Sequence, residues 1–361
     1  MHIYIYIRIF FFIITHFTGK EITFLSYFIF ALMLFLMAAL RKVGVGADDF
    51  VYVERFLNIP RISEWIYGHF IYSYAETQME PGYTIVSSLV RELSDNYVLL
   101  FFVVALLSTG ITLVFYYRYS SNPLLSALLF FSHQFLYKDI NQIRSAIASA
   151  IVIWCMPLLC EKRYVKCFLL IILSAMFHIA ALIIIIPLIF VIIVKAEKYR
   201  FFLAVFLVIS FFAGYMEISK RIIGIVPDLG FVADKIQNYS NSDEINSTSL
   251  FDLTNIKNVI ISILLLLLWR RLNNKKPIYK FMILFFLLGT MWRLAFSDLG
   301  IFAGRIATFL TVSEPLVVVC MLTILRQRFL GGCLVATYGF LTLYMNIYLK
   351  DGRHAYELFF Q

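Results

Sequence analysis

Besides Lys42, four side chains able to bind an anion or move a proton fall within one short stretch, "RKVGVGADDFVY". They are Arg41, Asp48, Asp49 and Tyr52, hinged on Gly44 and Gly46. Further along come Glu80, ahead of Pro81-Gly82, and Lys138, Asp139 and Arg144 in "YKDINQIRSAIASA". His178 interrupts "LSAMFHIAALIIIIPL", and Arg293, Asp298 and Arg305 bracket "WRLAFSDLGIFAGR". Several arginines with a few carboxylates and one histidine suit phosphate binding combined with acid–base work. Guanidinium makes planar bidentate contacts to phosphate that ammonium cannot. Each residue also has a plainer reading. Arg41 and Lys42 would snorkel at a helix end, Asp48-Asp49 would form an exposed turn, and His178 would be a satisfied core histidine. Arg144 and Arg305 would hold lipid headgroups.

The elements that must position these groups are apolar helices. The chain has 361 residues, 61% of them hydrophobic and 15% charged, with a mean hydropathy of +0.85. A soluble domain carries about 25% charged residues. Apolar runs recur that approach the ~20 residues needed to cross a hydrocarbon core. The expectation is an all-α, polytopic integral membrane protein with about twelve spans. They are placed at 3–17, 22–40, 97–116, 123–137, 144–160, 164–178, 179–194, 200–216, 256–269, 278–296, 306–325 and 330–349. Residues 1–361 form one transmembrane domain on this reading, with long loops at 41–96 and 217–255. The N-terminal "MHIYIYIRIFFFIITHF" lacks a basic n-region and a small-residue cleavage site, so it reads as an uncleaved helix. Five cysteines lie in or beside apolar segments without C-x-x-C spacing, which fits small core hydrophobes.

Charge sorts the loops. The odd-numbered connections hold 15 Lys/Arg against three acids, in compact turns; the other 16 basic residues accompany most of the acids, many of them in the two long loops. By the positive-inside rule the compact turns are cytoplasmic. Both termini and the loops 41–96 and 217–255 then face outside, and so do all the candidate residues above. The net charge of +9 is a topology signal, so no nucleic acid is expected as a partner. There is no Walker A loop, H-E-x-x-H or Cys/His cluster, hence no metal site and no cofactor are expected. Nucleotide is scarce outside the membrane, so a phosphorylated substrate there would be lipid-linked, delivered by the bilayer.

These residues are also familiar as a set. "RKVGVGADDFVYVERF" resembles the R-x-x-x-V-G-T-D-x-x-x-Y-x-x-x-F signature of the EpsG-like, Wzy-type bacterial polysaccharide polymerases. "EPGYTIVSSLV", "NQIRSAIASAIVIW", "FHIAALIIIIPL" and "AGRIATF" follow in the family's order, between about residues 22 and 325. Ala47 replaces the usual Thr, and Asp49 is less expected than Asp48. The resemblance implies a GT-C-like glycosyltransferase architecture in the bacterial inner membrane. It implies transfer of a growing glycan from undecaprenyl pyrophosphate onto a lipid-linked repeat unit at the periplasmic face, with a chain-length regulator and a flippase as partners. Matched by position, its functional candidates are Arg41, Asp48, Tyr52, Glu80, Arg144, His178 and Arg305.

The resulting expectation assigns catalysis to Asp48, Glu80 and His178, with Asp48 first in line as base. Pyrophosphate or sugar binding falls to Arg41, Tyr52, Arg144, Arg293 and Arg305. The small residues after Arg144 would let a phosphate and its lipid tail approach the helix backbone. Three rivals stay open: an O-antigen ligase, a metal-dependent enzyme using Asp48-Asp49 and polyprenyl-phosphate sugars, and a lipid-linked-sugar flippase or transporter. The last should show polar residues near mid-membrane.

Overall fold

A computed structural model of the chain describes residues 20–219, 221, 250–348 and 356–360. The first predicted span (3–17), most of the second long loop and both chain ends lie outside the described residues. The regular structure of the described residues is helical, with a lone antiparallel bridge between Arg41 and Leu358. Among the described residues, five helices are long and apolar enough to cross a membrane: Tyr97–Tyr119, Ile143–Cys160, Ile278–Ala295, Phe302–Ile324 and Phe329–Tyr348. Ile179–Ile193 and Ala196–Tyr215 pass the same test as a pair bent by 114°, and Phe24–Ala39, Tyr164–Ala175 and Leu253–Leu267 are shorter apolar helices. The remaining expected segment, 123–137, is an α-helix Pro123–Phe130 running into a π-helix Phe131–Asp139.

The apolar residues face two ways. On Lys20–Ala39, Tyr27, Phe30, Leu34 and Ala38 are buried, while Phe24, Phe28, Leu32 and Leu36 on the opposite side are exposed. The same division repeats on Tyr199–Tyr215 and Leu253–Leu267. A soluble protein rarely leaves contiguous apolar faces of this kind uncovered. Lipid is the solvent that suits them, and the chain is a multi-pass membrane protein.

The chain divides into two compact units. The first comprises the described residues within 1–155, 169–182 and 322–361, and the second those within 156–168 and 183–321.

In the first unit, Lys20–Ala39 packs against Tyr97–Ala105 and Pro123–Phe130. The local starts are written in the sequence. Asn96 and Asn122 cap their helices by accepting from Val98 and Leu125 N–H groups, and Pro123 and Pro81 occupy first-turn positions. Helix Tyr97–Tyr119 widens into a π segment at Leu106–Gly110. There Thr109 Oγ1 donates to Asp139 Oδ1 at 2.7 Å, tying this segment to the one at Phe131–Asp139. Such π segments recur at functional sites. The first long loop is helical too, with Asp49–Asn58 and Pro81–Leu93 as its principal helices. The described C-terminal residues return beside its start: Phe359 N–H donates to Leu40 O at 3.0 Å, and Lys42 pairs with Glu357 at 2.7 Å.

The second unit is organised around Ile278–Ala295, whose residues 281–291 are all buried. Tyr199–Tyr215, Leu253–Leu267 and Ile301–Leu310 pack on it. Gly214 is obligatory in that packing, because a Cβ there would run into the Leu294 carbonyl.

Candidate functional site

Tyr52 is the hub of the first unit's polar cluster. It projects from the inward face of helix Asp49–Asn58, which also buries Asp49 and Phe56, and is 5% exposed. Its ring lies 5.9 Å from that of Tyr83, in the first turn of helix Pro81–Leu93. Arg144 reaches the same place from the start of Ile143–Val152. It hydrogen-bonds the Tyr52 hydroxyl, sits 5.8 Å from the ring centroid, and its Nη1 makes an ion pair with Glu80 Oε2. Burial pushes the Tyr52 hydroxyl above its ordinary range; the Arg144 guanidinium pulls the other way, while the nearby carboxylates of Asp48 and Glu80 add to the rise. Asp48 with Tyr52, Glu80 and Arg144, from three separate stretches of the sequence, thus share one site.

The two neighbouring aspartates have separate fates. Asp49 is fully buried under Arg41, which is 1% exposed. Arg41 Nη2 donates to Asp49 Oδ1 at 2.9 Å, Nε to the same carboxylate at 3.2 and 3.3 Å, and Nη1 to Ala38 O at 2.5 Å. Its guanidinium also covers the Phe101 ring at 3.9 Å. Gly46 N–H donates to Asp49 Oδ2 at 2.7 Å. A Cβ at Gly46 would collide with the Ile140 carbonyl, and Ala47 N–H donates to Asn141 Oδ1 at 2.8 Å. The glycine-hinged loop is therefore clamped from both sides. Asp48, exposed at the N-cap position of the helix, is left facing outward at the rim of the Tyr52 cluster. The sequence placed Arg41 among the substrate ligands; in the structure its guanidinium is committed to protein groups. Nor do Asp48 and Asp49 present two carboxylates to one point, because one faces out and the other in.

Glu80 is 6% exposed and occupies the N-cap position of helix Pro81–Leu93, though its carboxylate makes no capping bond and goes to Arg144 instead. Gly82 fixes this helix start. Its N–H donates to Met176 O at 2.8 Å, and a Cβ would come within 2.9 Å of that oxygen. That bond docks the first turn bearing Glu80 on the turn bearing His178. His178 is half-buried, and its Nδ1 accepts from Ala180 N–H at 3.3 Å. The proton of a neutral ring then resides on Nε2.

Arg144 retains unused capacity. Its side chain is 21% exposed and its Nε is buried without a partner among the described residues. The small residues that follow do not open the helix to a ligand, as the sequence suggested. Ser145, Ala146, Ala148 and Ser149 are buried, and their helix packs closely on the π segment Leu106–Gly110. Lys138 and Asp139 are also buried rather than in an open turn. Lys138 Nζ donates to Ser149 Oγ at 2.5 Å, and Asp139 accepts from Thr109.

The second unit holds Arg293, Asp298 and Arg305. Arg293 Nε donates to Asn255 Oδ1 at 2.8 Å and Nη2 to Asp252 Oδ2 at 2.7 Å. Its Nη1 lies where a Cβ on Gly304 would be 2.8 Å away, so "AGR" owes its glycine to this arginine. Arg305, the next residue, is exposed, and Asp298 is buried. Sequence reasoning missed Asp252 and Asn255, although "FDLTN" carries a helix N-cap signal in Asp252, which accepts from Asn255 N–H at 2.7 Å. It also passed over Lys257, which donates to Glu314 Oε1 at 2.7 Å within apolar helices. A charge inside a span costs about 2.5–3.5 kcal/mol on insertion scales, and pairing is the usual answer.

Among the described residues, no group of three His, Cys, Asp or Glu side chains is arranged to hold a metal ion. Comparison with known proteins agrees with the clustered motifs. The EpsG family model matches residues 24–360. A protein of Erwinia amylovora described as amylovoran biosynthesis protein AmsC is 29% identical over 314 residues, covering 84% of this chain and 80% of that protein. No solved structure matches. With its signature residues gathered around Tyr52 and the match spanning nearly the whole chain, this membrane protein belongs to the EpsG family.

Proposed function

We propose that the chain is a polysaccharide polymerase, a GT-C-like glycosyltransferase with about twelve spans in the bacterial inner membrane, both termini periplasmic. Its donor is a growing glycan on undecaprenyl pyrophosphate, and its acceptor is a lipid-linked repeat unit. Family membership and the biosynthetic description of AmsC support the class of reaction. The observation that carries the site is Arg144: oriented by Glu80 and Tyr52, partly exposed, with a buried Nε still to be satisfied.

The bond broken is anomeric carbon to pyrophosphate oxygen, and the bond formed is anomeric carbon to acceptor oxygen. Arg144 takes up the charge that develops on the departing pyrophosphate. A single guanidinium–phosphate pair at 4 Å contributes about 4 kcal/mol at an effective dielectric of 20. In the second unit, Arg305, which is exposed, and Arg293, whose Nε and Nη2 already serve Asn255 and Asp252, are further candidates for phosphate or sugar binding. Asp48, with its carboxylate outward on the rim, accepts the proton of the attacking hydroxyl. Glu80 holds Arg144 and is second in line as base, followed by His178. Arg41 acts indirectly, by fixing the loop on which Asp48 rides. The reaction on this reading needs no metal ion, and purified protein should polymerise lipid-linked units in excess EDTA.

The test is polymerisation by Arg144→Ala and Arg144→Lys. Lysine keeps the charge but loses the planar fork. Both variants should insert normally and lose about 10²-fold or more of the rate, the scale for removing one preorganised charge-stabilising donor. Full activity in Arg144→Lys would reduce this residue to a headgroup anchor and pass the role to Arg305.

A further inference from the structure

Helix Asp49–Asn58 has a second working face. Tyr52 and Phe56 point inward, while Glu54, Arg55 and Asn58 line an open cavity of about 560 Å³ on the other side, together with Phe70, Glu76 and Gln78. That volume lies within the roughly 300–1,000 Å³ of small-ligand pockets. We propose that this cavity is a sugar subsite, holding part of an oligosaccharide whose reacting end lies at the Arg144–Glu80 cluster. The inference rests on the polymerase reading and adds a glycan site to it.

Beside the apolar Val51, Ile59 and Pro60, the lining offers polar arms for hydroxyl groups. Glu54, Asn58 and Glu76 are exposed, and none of their side chains is hydrogen-bonded to another described residue. Carboxylate and carboxamide arms can each bridge neighbouring hydroxyls of a pyranose. Phe70 offers an aromatic face for its C–H side and is itself steadied by Trp65, 4.9 Å away. A phosphate fits poorly. The cavity's cation, Arg55, is spent on Gln78, with Nη1 on the backbone carbonyl at 2.9 Å and Nη2 on Oε1 at 2.8 Å, and two carboxylates repel an anion.

The same clamp holds Gln78 in a left-handed conformation, φ +50°, which a residue with a side chain adopts at a cost. Gln78 precedes Met79, which is fully buried, and then Glu80. Cavity and ion pair are thus joined by two residues of chain and by one helix whose opposite faces serve them. A glycan seated in the cavity would be held against the walls that carry Tyr52 and Glu80.

The experiment uses full-length protein in detergent with Arg144→Ala, so that binding is read without turnover. The probe is the oligosaccharide released by mild acid from the producing cell's own lipid-linked units, with maltoheptaose as control. Calorimetry should show binding to the released oligosaccharide and little to maltoheptaose. Asn58→Ala and Glu76→Ala should each weaken it about tenfold, the loss expected for about 1.4 kcal/mol. Phe70→Ala should do likewise and Phe70→Tyr should restore it. With Arg144 intact, the same variants separate the two sources of glycan. A raised KM for the acceptor lipid at constant kcat places the acceptor in the cavity, and a shortened product ladder places the growing chain there. Equal binding of both oligosaccharides, or binding unchanged in Asn58→Ala and Glu76→Ala, overturns the subsite. If those variants also polymerise normally while Arg144→Ala does not, the subsite fails and the polymerase reading stands. If the oligosaccharide binds as expected but Arg144→Ala polymerises normally, the assignment of the Arg144 centre fails and the subsite stands.

Discussion

Removing the carboxylate of Asp49 separates a structural role for Arg41 from a substrate-binding one. The pair is almost wholly shielded from water, with Arg41 and Asp49 at 1% and 0% exposure. Asp49→Ala would strand a guanidinium against Phe101 with only the Ala38 carbonyl to satisfy it, and would release the Gly46 N–H. Breaking a buried pair from one side costs about 3–5 kcal/mol, because an uncompensated charge remains. Replacing both partners with apolar groups of similar volume is often neutral or better. Arg41→Met/Asp49→Leu should therefore recover most of the stability lost by Asp49→Ala or by Arg41→Met alone. Unfolding by SDS titration in mixed micelles, arranged as a double-mutant cycle, measures the coupling. Polymer ladders from cells expressing each variant report function. The structural reading expects activity to follow stability, with the double variant well above either single. A double variant that is stable yet inactive would refute it and return Arg41 to the substrate. So would a cost for Asp49→Ala below about 1 kcal/mol.

Gly46→Ala should destabilise the protein by about 1–3 kcal/mol, the range for overpacking, since the new methyl meets the Ile140 carbonyl; the same SDS titration reads it. Asp48→Asn should lower the polymerisation rate by about 10²- to 10⁴-fold with stability unchanged. If it is near wild type while Glu80→Gln or His178→Ala is inactive, the base is that other residue. Tyr67, exposed in the first long loop, and Asn274, in a basic turn, should as single cysteines label oppositely in a cysteine-free background. An impermeant maleimide should reach Tyr67→Cys in intact spheroplasts and Asn274→Cys only after lysis; the reverse result would overturn the topology.

The sequence alone determined what depends on neighbours along the chain. Apolar runs, caps such as Asn96, Asn122 and Asp252, and prolines at first turns specify helices through contacts three or four residues apart, so Tyr97–Tyr119 and Ile278–Ala295 appear close to where they were expected. The candidate residues were legible for a similar reason, since an arginine or carboxylate stands out within an apolar segment. Their partners were not. Glu80 and Arg144 meet across 64 residues, and Arg293 is held by Asp252 and Asn255 some 40 positions earlier. Pairing at such separations depends on how helices pack, which no local pattern encodes. The case of Asp48 and Asp49 is sharper still. Adjacent residues on a helix point about 100° apart. The two acids are chemically alike, and only the orientation of Asp49–Asn58 against Phe101 and Ile140 decides which is buried under Arg41 and which is left outward to do chemistry.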